Sequence, residues 1–128
     1  MSELHRLTAL EQLHLLRSGE VKPSELVECY LDRIERLNPE LGAFTVVTAD
    51  AARQRAAELE ASGSRASALW GLASGEKDLW ARAGVRTAYG SRAFADFVPE
   101  VSDEIADVLD NAGAISLGKT ATPEFGLP

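Results

Sequence analysis

The sequence has 128 residues, of which 45% are apolar, and a formal net charge of −7. This length and composition suffice for one domain with a core, and no apolar run approaches the roughly 20 residues of a membrane-spanning helix. The negative charge argues against a nucleic-acid partner, because phosphate contacts require clustered lysine and arginine. The single Cys29 and an N-terminus without a secretory leader favour a cytoplasmic protein.

The first half predicts helices. Thr8 and Glu11 have the spacing of a capping box, which begins a helix that Gly19 ends. We expect its apolar face to contain Leu10, Leu13 and either Leu15 or Leu16.

A second helix is predicted to open at Pro23 or Ser24, where proline suits the first turn, and to end at Asn38-Pro39. A short β-branched strand over 44–48 follows it. A third helix then runs from Ala49 to about Ala61.

The second half predicts an α/β unit. From Leu69 onward, short apolar runs surround one helix, for which Ser102 is the expected cap and Gly113 the end. We expect Ile105, Val108 and Leu109 to form the apolar face of this helix, and residues 114–117 to form a buried strand. Strand, helix and strand in this order indicate a parallel sheet.

The predicted fold class is therefore α/β, with N-terminal helices packed on the start of a mixed or parallel sheet. We expect one domain over residues 1–128, with a mainly helical layer over 1–64 and the first strands and helix of the core over 65–128. At most two or three strands are predicted, and so small a sheet leaves faces and edges uncovered. The sequence is thus expected to be part of a longer protein.

Residues 113–120, Gly-Ala-Ile-Ser-Leu-Gly-Lys-Thr, match the formula of a phosphate-binding loop. That chemistry needs a loop between a preceding strand and a following helix. Here a helix precedes, the middle residues resemble a strand, and Pro123 limits any helix that follows Thr120. Nucleotide binding is therefore the less favoured interpretation.

Lys77 is the candidate catalytic residue. A lone Lys-Asp pair is most often a solvated strand end. This one lies at the predicted carboxyl end of a strand, where α/β proteins place their sites, and a glycine-bounded loop over 83–91 follows it.

Four blocks of sequence resemble the amidase-signature family in order and spacing. They are residues 25–44, Gly71-Leu72 with Lys77-Asp78, residues 83–91, and residues 112–120 with Glu124-Phe125. Each block is weak alone, but together they span nearly the whole chain.

The resemblance implies an amidase-type serine hydrolase that cleaves the C–N bonds of carboxamides, with a small-molecule amide as substrate and no cofactor. In this family a serine attacks the carbonyl, and a second serine on a cis peptide bond relays its proton to a lysine. Lys77 matches that lysine, which must be neutral to act as a base. The Gly-Ser-rich block that holds both serines lies downstream in the family and has no counterpart here, so the segment alone is expected to be inactive.

The chain departs from the family pattern near Lys77. Ala73 replaces the usual proline, and Ser74 and Glu76 replace apolar residues. Because strand side chains alternate, Glu76 lies on the opposite face from Lys77 and requires either water or a partner. Ala121 and Thr122 replace the Asn-Met of the last block.

Other candidates have simpler interpretations. Cys29 lies in a helical stripe, and His5 and His14 lack partners at ligand spacing, so no metal is expected. Trp70 and Trp80 are expected to pack in the core. Ser62 and Ser64 flank a helix-ending glycine, and Ser91 resembles a turn residue.

If the chain is an amidase fragment, its expected partners are the substrate, the remainder of its chain and a possible second copy. Three alternatives to this interpretation stay open. One is a non-catalytic binding module that keeps the N-terminal layer. The others are a subunit of a tRNA-dependent amidotransferase and the phosphate-loop nucleotide binder.

Overall fold

The computed structural model describes residues 3–127, which form helices packed on a three-stranded sheet. The α-helices are α1 (Ala9–Ser18), α2 (Pro23–Leu41), α3 (Ala49–Ser62) and α4 (Glu104–Asn111), and the strands are β1 (Phe44–Val47), β2 (Ala73–Lys77) and β3 (Ile115–Thr120). Short 3₁₀ turns occupy Leu4–Arg6, Arg92–Phe94 and Glu124–Gly126. The α/β class predicted from the sequence is confirmed.

The sheet is mixed, with strand order β1-β3-β2. β2 and β3 are parallel and are joined through α4, as the order strand, helix, strand predicts. β1 pairs with the other edge of β3 in the antiparallel direction. The central β3 is therefore buried between two neighbours, and its carboxyl end lies beside that of β2.

The core lies between the sheet and helices α1, α2 and α3. Leu16, Leu26, Val27 and Ile115 are fully buried there, together with Trp70, which confirms the core position predicted for this tryptophan. Burying an aliphatic side chain of this size contributes about 1.5–3 kcal/mol. The helical first half is thus a layer attached to the sheet.

Local signals fix the helix starts. The Thr8 hydroxyl accepts the backbone N–H of Glu11, and the Glu11 carboxylate accepts that of Thr8, which confirms the predicted capping box. Gly19 ends α1 in the left-handed conformation, and Pro23 begins α2. On α1, Leu13 and Leu16 are buried as predicted, whereas Leu10 is exposed.

The predicted end of α2 is wrong by one turn. The helix continues through Pro39 to Leu41, because a proline near the end of a helix removes one backbone donor without preventing closure of the last turn. The N–H of Gly42 donates to the carbonyl of Asn38 at 2.8 Å. The Asn38 amide then bonds both backbone groups of Phe44, which directs the chain into β1.

The cap predicted for α4 is also wrong. Asp103 is its N-cap residue, while the Ser102 hydroxyl accepts the N–H of Ala83 instead of capping the helix. Ile105 and Val108 are largely exposed, and the buried residue is the small Ala106. A helix signal gives the period of an apolar face but not which part of it a neighbour covers.

Gly118 allows β1 and β3 to approach each other. Its φ is 137°, and a Cβ placed there would lie 2.0 Å from the carbonyl oxygen of Val46. This glycine belongs to the pattern that resembles a phosphate loop. Within the described residues it lies inside a strand, so its role is close packing of backbones.

We therefore predict that Gly118→Ala destabilises the fold by about 3 kcal/mol, because a side chain there collides with a backbone atom. Gly63→Ala is the matched control, since Gly63 also has a positive φ but has nothing within 4 Å of a built Cβ. That change should cost only about 1 kcal/mol. Equal losses in urea unfolding would show that the close approach to Val46 is not what requires Gly118.

Candidate functional site

Lys77 lies at the carboxyl end of β2, where the sequence placed it, and pairs in register with Thr120 at the end of β3. Its side chain is half-buried and forms no hydrogen bond or ion pair with any of residues 3–127. By strand alternation it shares a face with Gly75, whose nearest side chains are those of Thr120 and Phe44.

Asp78, the next residue, holds the loop that follows. Its carboxylate is buried and accepts the backbone N–H of Ala88 at 3.1 and 3.3 Å, and it also accepts the Thr45 hydroxyl at 3.4 Å. The backbone N–H of Asp78 donates to the carbonyl of Thr120 at 3.0 Å. Asp78 is thus committed to the fold, and it joins β1, β2 and the loop over 83–91.

The loops after β2 and β3 meet beside this site. Ser91 donates its hydroxyl to the Glu124 carboxylate at 2.7 Å, and the N–H of Phe125 donates to the carbonyl of Tyr89 at 2.7 Å. Tyr89 and Phe125 both have positive φ values, 53° and 50°, which are uncommon for bulky residues and occur most often near functional sites. Ser91, predicted as a turn residue, also caps the short turn that follows it.

On the opposite face of β2, Glu76 is buried and has two cationic partners. It accepts a forked pair of hydrogen bonds from Arg82, with Nε 3.0 Å from each carboxylate oxygen and Nη2 closer still. The ammonium of Lys119 lies 3.6 Å away. The sequence predicted that Glu76 requires either water or a partner, and the structure provides two partners, Arg82 and Lys119.

Arg82 extends this arrangement to α4. Its Nη1 and Nη2 donate to the Asp110 carboxylate at 2.8 and 2.9 Å. The hydrogen bonds from Asp110 and Glu76 raise the pKa of the Arg82 guanidinium, so it stays charged. We call Glu76, Arg82, Asp110 and Lys119 the charged cluster.

Lys119 is the most deeply buried charged group of the cluster. Its side chain is 0% exposed, donates to the carbonyl of Trp80, and lies 5.9 Å from the centre of the Trp80 ring. Burial lowers the pKa of Lys119, and the negative charge of Glu76 opposes that effect. The sequence pattern offered Lys119 as a candidate phosphate ligand only. Trp80 was predicted to pack in the core, but of the two tryptophans only Trp70 lies there.

The missed signal was a charged residue inside each of the two parallel strands of one β-α-β unit, Glu76 in β2 and Lys119 in β3, in addition to Lys77 at the strand end. Such strands are normally apolar, so charges inside both indicate a pair. The structure brings Glu76 and Lys119 into the same register position. Lys77, on the other face, stays apart from the cluster.

Other sequence candidates lie away from this site. Cys29 is half-buried on α2, as expected for a small residue in a helical stripe. Among residues 3–127 no group of three or more His, Cys, Asp or Glu side chains is arranged to hold a metal ion. No helix of that same range is long and apolar enough to cross a membrane.

The family model described as Amidase matches residues 25–128. The chain belongs to the amidase family. All four sequence blocks that resemble the family lie within the matched residues.

Curated relatives include a glutamyl-tRNA(Gln) amidotransferase subunit from Granulibacter bethesdensis (strain ATCC BAA-1260 / CGDNIH1), which is 38% identical over 99% of this amidase-family chain and 26% of the relative. The corresponding protein of Hahella chejuensis (strain KCTC 2396) is 37% identical over 94% of this chain and 25% of its own length. The chain thus spans about a quarter of the curated relatives that it matches.

Solved structures give the same result for the fold. A bacterial aryl acylamidase of the amidase signature family superimposes with a TM-score of 0.86 at 30% identity, covering 97% of this chain and 27% of that one. The native peptide amidase of Stenotrophomonas maltophilia superimposes with a TM-score of 0.85 at 29% identity, covering 96% and 26%. The mixed sheet and helical layer are therefore those of amidase-signature enzymes.

The charged cluster generates a stability prediction. Glu76→Gln should cost about 3 kcal/mol, because it removes the carboxylate that is paired with buried Lys119 and weakens the fork to Arg82. Lys119→Met should cost about 1 kcal/mol or less, because Glu76 keeps Arg82 and the burial of a cation is relieved. Urea unfolding of both variants measures the difference, and a Lys119→Met loss as large as that of Glu76→Gln would contradict it.

Proposed function

We propose that this chain supplies the base of an amide-hydrolysing centre and that Lys77 is this base. The observation that carries the proposal is the position of Lys77 at the carboxyl end of a parallel strand, with no ion pair to any residue between 3 and 127, in a chain of the amidase family. The substrate class is a carboxamide. The nucleophile comes from outside this segment, since the chain spans about a quarter of the length of its curated relatives.

The chemistry follows the serine-serine-lysine scheme of the family resemblance. A serine oxygen attacks the amide carbonyl, and its proton passes through a second serine to the neutral Lys77 amine. The C–N bond then breaks, and the leaving amine takes the proton back from the lysine through the same relay. Water releases the acyl group from the serine by the reverse sequence. The segment alone is expected to have no amidase activity.

A second candidate is a role as part of a subunit of a tRNA-dependent amidotransferase. The first curated relatives are named as subunits of such an enzyme and are 34–38% identical to this chain. The chemistry at Lys77 would be the same, and the partner would differ. A cytoplasmic location and a possible homo-oligomer remain predictions from the sequence.

The proposal is tested with a chimera in which this chain replaces the matching quarter of the aryl acylamidase. We predict that the chimera hydrolyses an aryl amide and that Lys77→Ala lowers kcat by about 10³-fold, because the proton relay ends at that amine. Lys77→Arg should be as inactive, since a guanidinium keeps its charge and cannot act as a base. Steady-state kinetics on the purified proteins measure both effects.

Lys22 provides the matched control, because it is an exposed lysine at the start of α2. Lys22→Ala and Lys22→Arg should hydrolyse the amide at the rate of the parent chimera. Thermal melting of each variant confirms that Lys77→Ala leaves the fold intact. A Lys77→Ala or Lys77→Arg chimera with parental activity would overturn the proposal, and would favour the non-catalytic binding module.

A further inference from the structure

We propose that Glu76 is a positioning residue for Lys77: its carboxylate anchors the carboxyl end of β2 from the face opposite the lysine. The inference rests on the proposed function of Lys77 and goes beyond it. It concerns a residue at which this chain departs from the apolar pattern of the family it resembles.

Glu76 is directly adjacent to Lys77 in the chain. Glu76 and Lys77 are consecutive residues of β2, so their side chains emerge on opposite faces and share one segment of backbone. Any force that holds the Glu76 side chain also fixes the backbone from which Lys77 projects. Lys77 itself has no side-chain hydrogen bond or ion pair among residues 3–127, so within this range its position depends on the backbone of β2.

Glu76 links β2 to several other elements of the fold. Through Lys119 it is tied to β3 in the matching register position. Through Arg82 it is tied to Asp110 on α4, the helix that connects the two parallel strands. The anchor thus involves the neighbouring strand, the connecting helix and the loop that follows β2.

The backbone pairing of β2 within the described sheet is limited. β2 has a single sheet neighbour, because it is an edge strand of the described sheet. Its pairing with β3 is irregular between Ser74 and Glu76, immediately before the lysine. An edge strand with a bulge is prone to slip or fray, so a buried ionic contact beside the irregularity specifies the register.

Burial makes this contact sensitive to a single change. Glu76 is 1% exposed and Lys119 0%, so loss of the carboxylate removes the paired anion of a cation in a site that water does not reach. An exposed pair of similar geometry has a much smaller effect. The chain contains one, the bonds from Arg53 to Glu28 at 2.6 and 3.0 Å.

Two backbone amides report on local anchoring. The N–H of Asp78, just after Lys77, donates to the carbonyl of Thr120 at 3.0 Å, and the N–H of Thr48 donates to the carbonyl of Leu117 at 3.0 Å. Both bonds end on β3, one from each side. Amide hydrogen exchange of the 128-residue chain, measured by NMR, therefore compares the end of β2, reported by Asp78, with the opposite side of β3, reported by Thr48.

We predict that Glu76→Gln accelerates exchange at Asp78 about tenfold more than at Thr48, because the end of β2 opens locally. Glu76→Asp should recover part of the protection, since it retains the carboxylate and the long Arg82 side chain is able to follow it. Glu28→Gln, the matched control in the exposed pair, should change neither amide. Equal acceleration at Asp78 and Thr48 would show general destabilisation only and would overturn the proposal, as would no change at Asp78.

The chimera provides a second readout. Glu76→Gln should lower kcat about 10-fold or more with KM within about twofold, because misplacing a base affects the transition state more than substrate binding. Parental kcat in that variant would overturn the positioning role. An inactive parent chimera would overturn the function proposed for Lys77, whereas the exchange experiment would still decide whether Glu76 anchors the strand.

Discussion

A buried carboxylate between two cations is the interaction on which this part of the molecule depends. Glu76 and Lys119 occupy matching positions of the parallel strands β2 and β3, and Arg82 joins Glu76 to Asp110 on α4. A charge buried alone in such a place costs several kcal/mol, so the buried Glu76 and Lys119 each depend on a partner of opposite charge. The cluster therefore favours one register between the two strands and one position for the helix that connects them.

This constraint has a consequence for the other face of β2. Lys77 emerges there at the carboxyl end of the strand, next to the loops that follow β2 and β3, while the charged cluster lies on the opposite face. Asp78 is committed to the backbone of Ala88. The result is a lysine that projects from an ordered strand and has no ion pair among the described residues.

The sequence predicted the elements that local signals control. The capping box at Thr8, the proline at the start of α2 and the order strand, helix, strand each act over a few residues, and each is confirmed. It failed where a distant neighbour decides. The exposure of Val108 depends on what covers α4, and the partners of Glu76 lie 6 and 43 residues farther along the chain. Gly118 fitted a phosphate formula, but the approach of Val46 explains it.

The most direct test of this account is a double-mutant cycle between Glu76 and Arg82, measured by urea unfolding of the parent, Glu76→Gln, Arg82→Gln and the double variant. The cycle isolates the energy that the two residues share from other effects of each substitution. The account predicts a coupling of about 2 kcal/mol, because the pair is buried and forked. A coupling below about 0.5 kcal/mol would mean that the two residues act independently and would contradict the account.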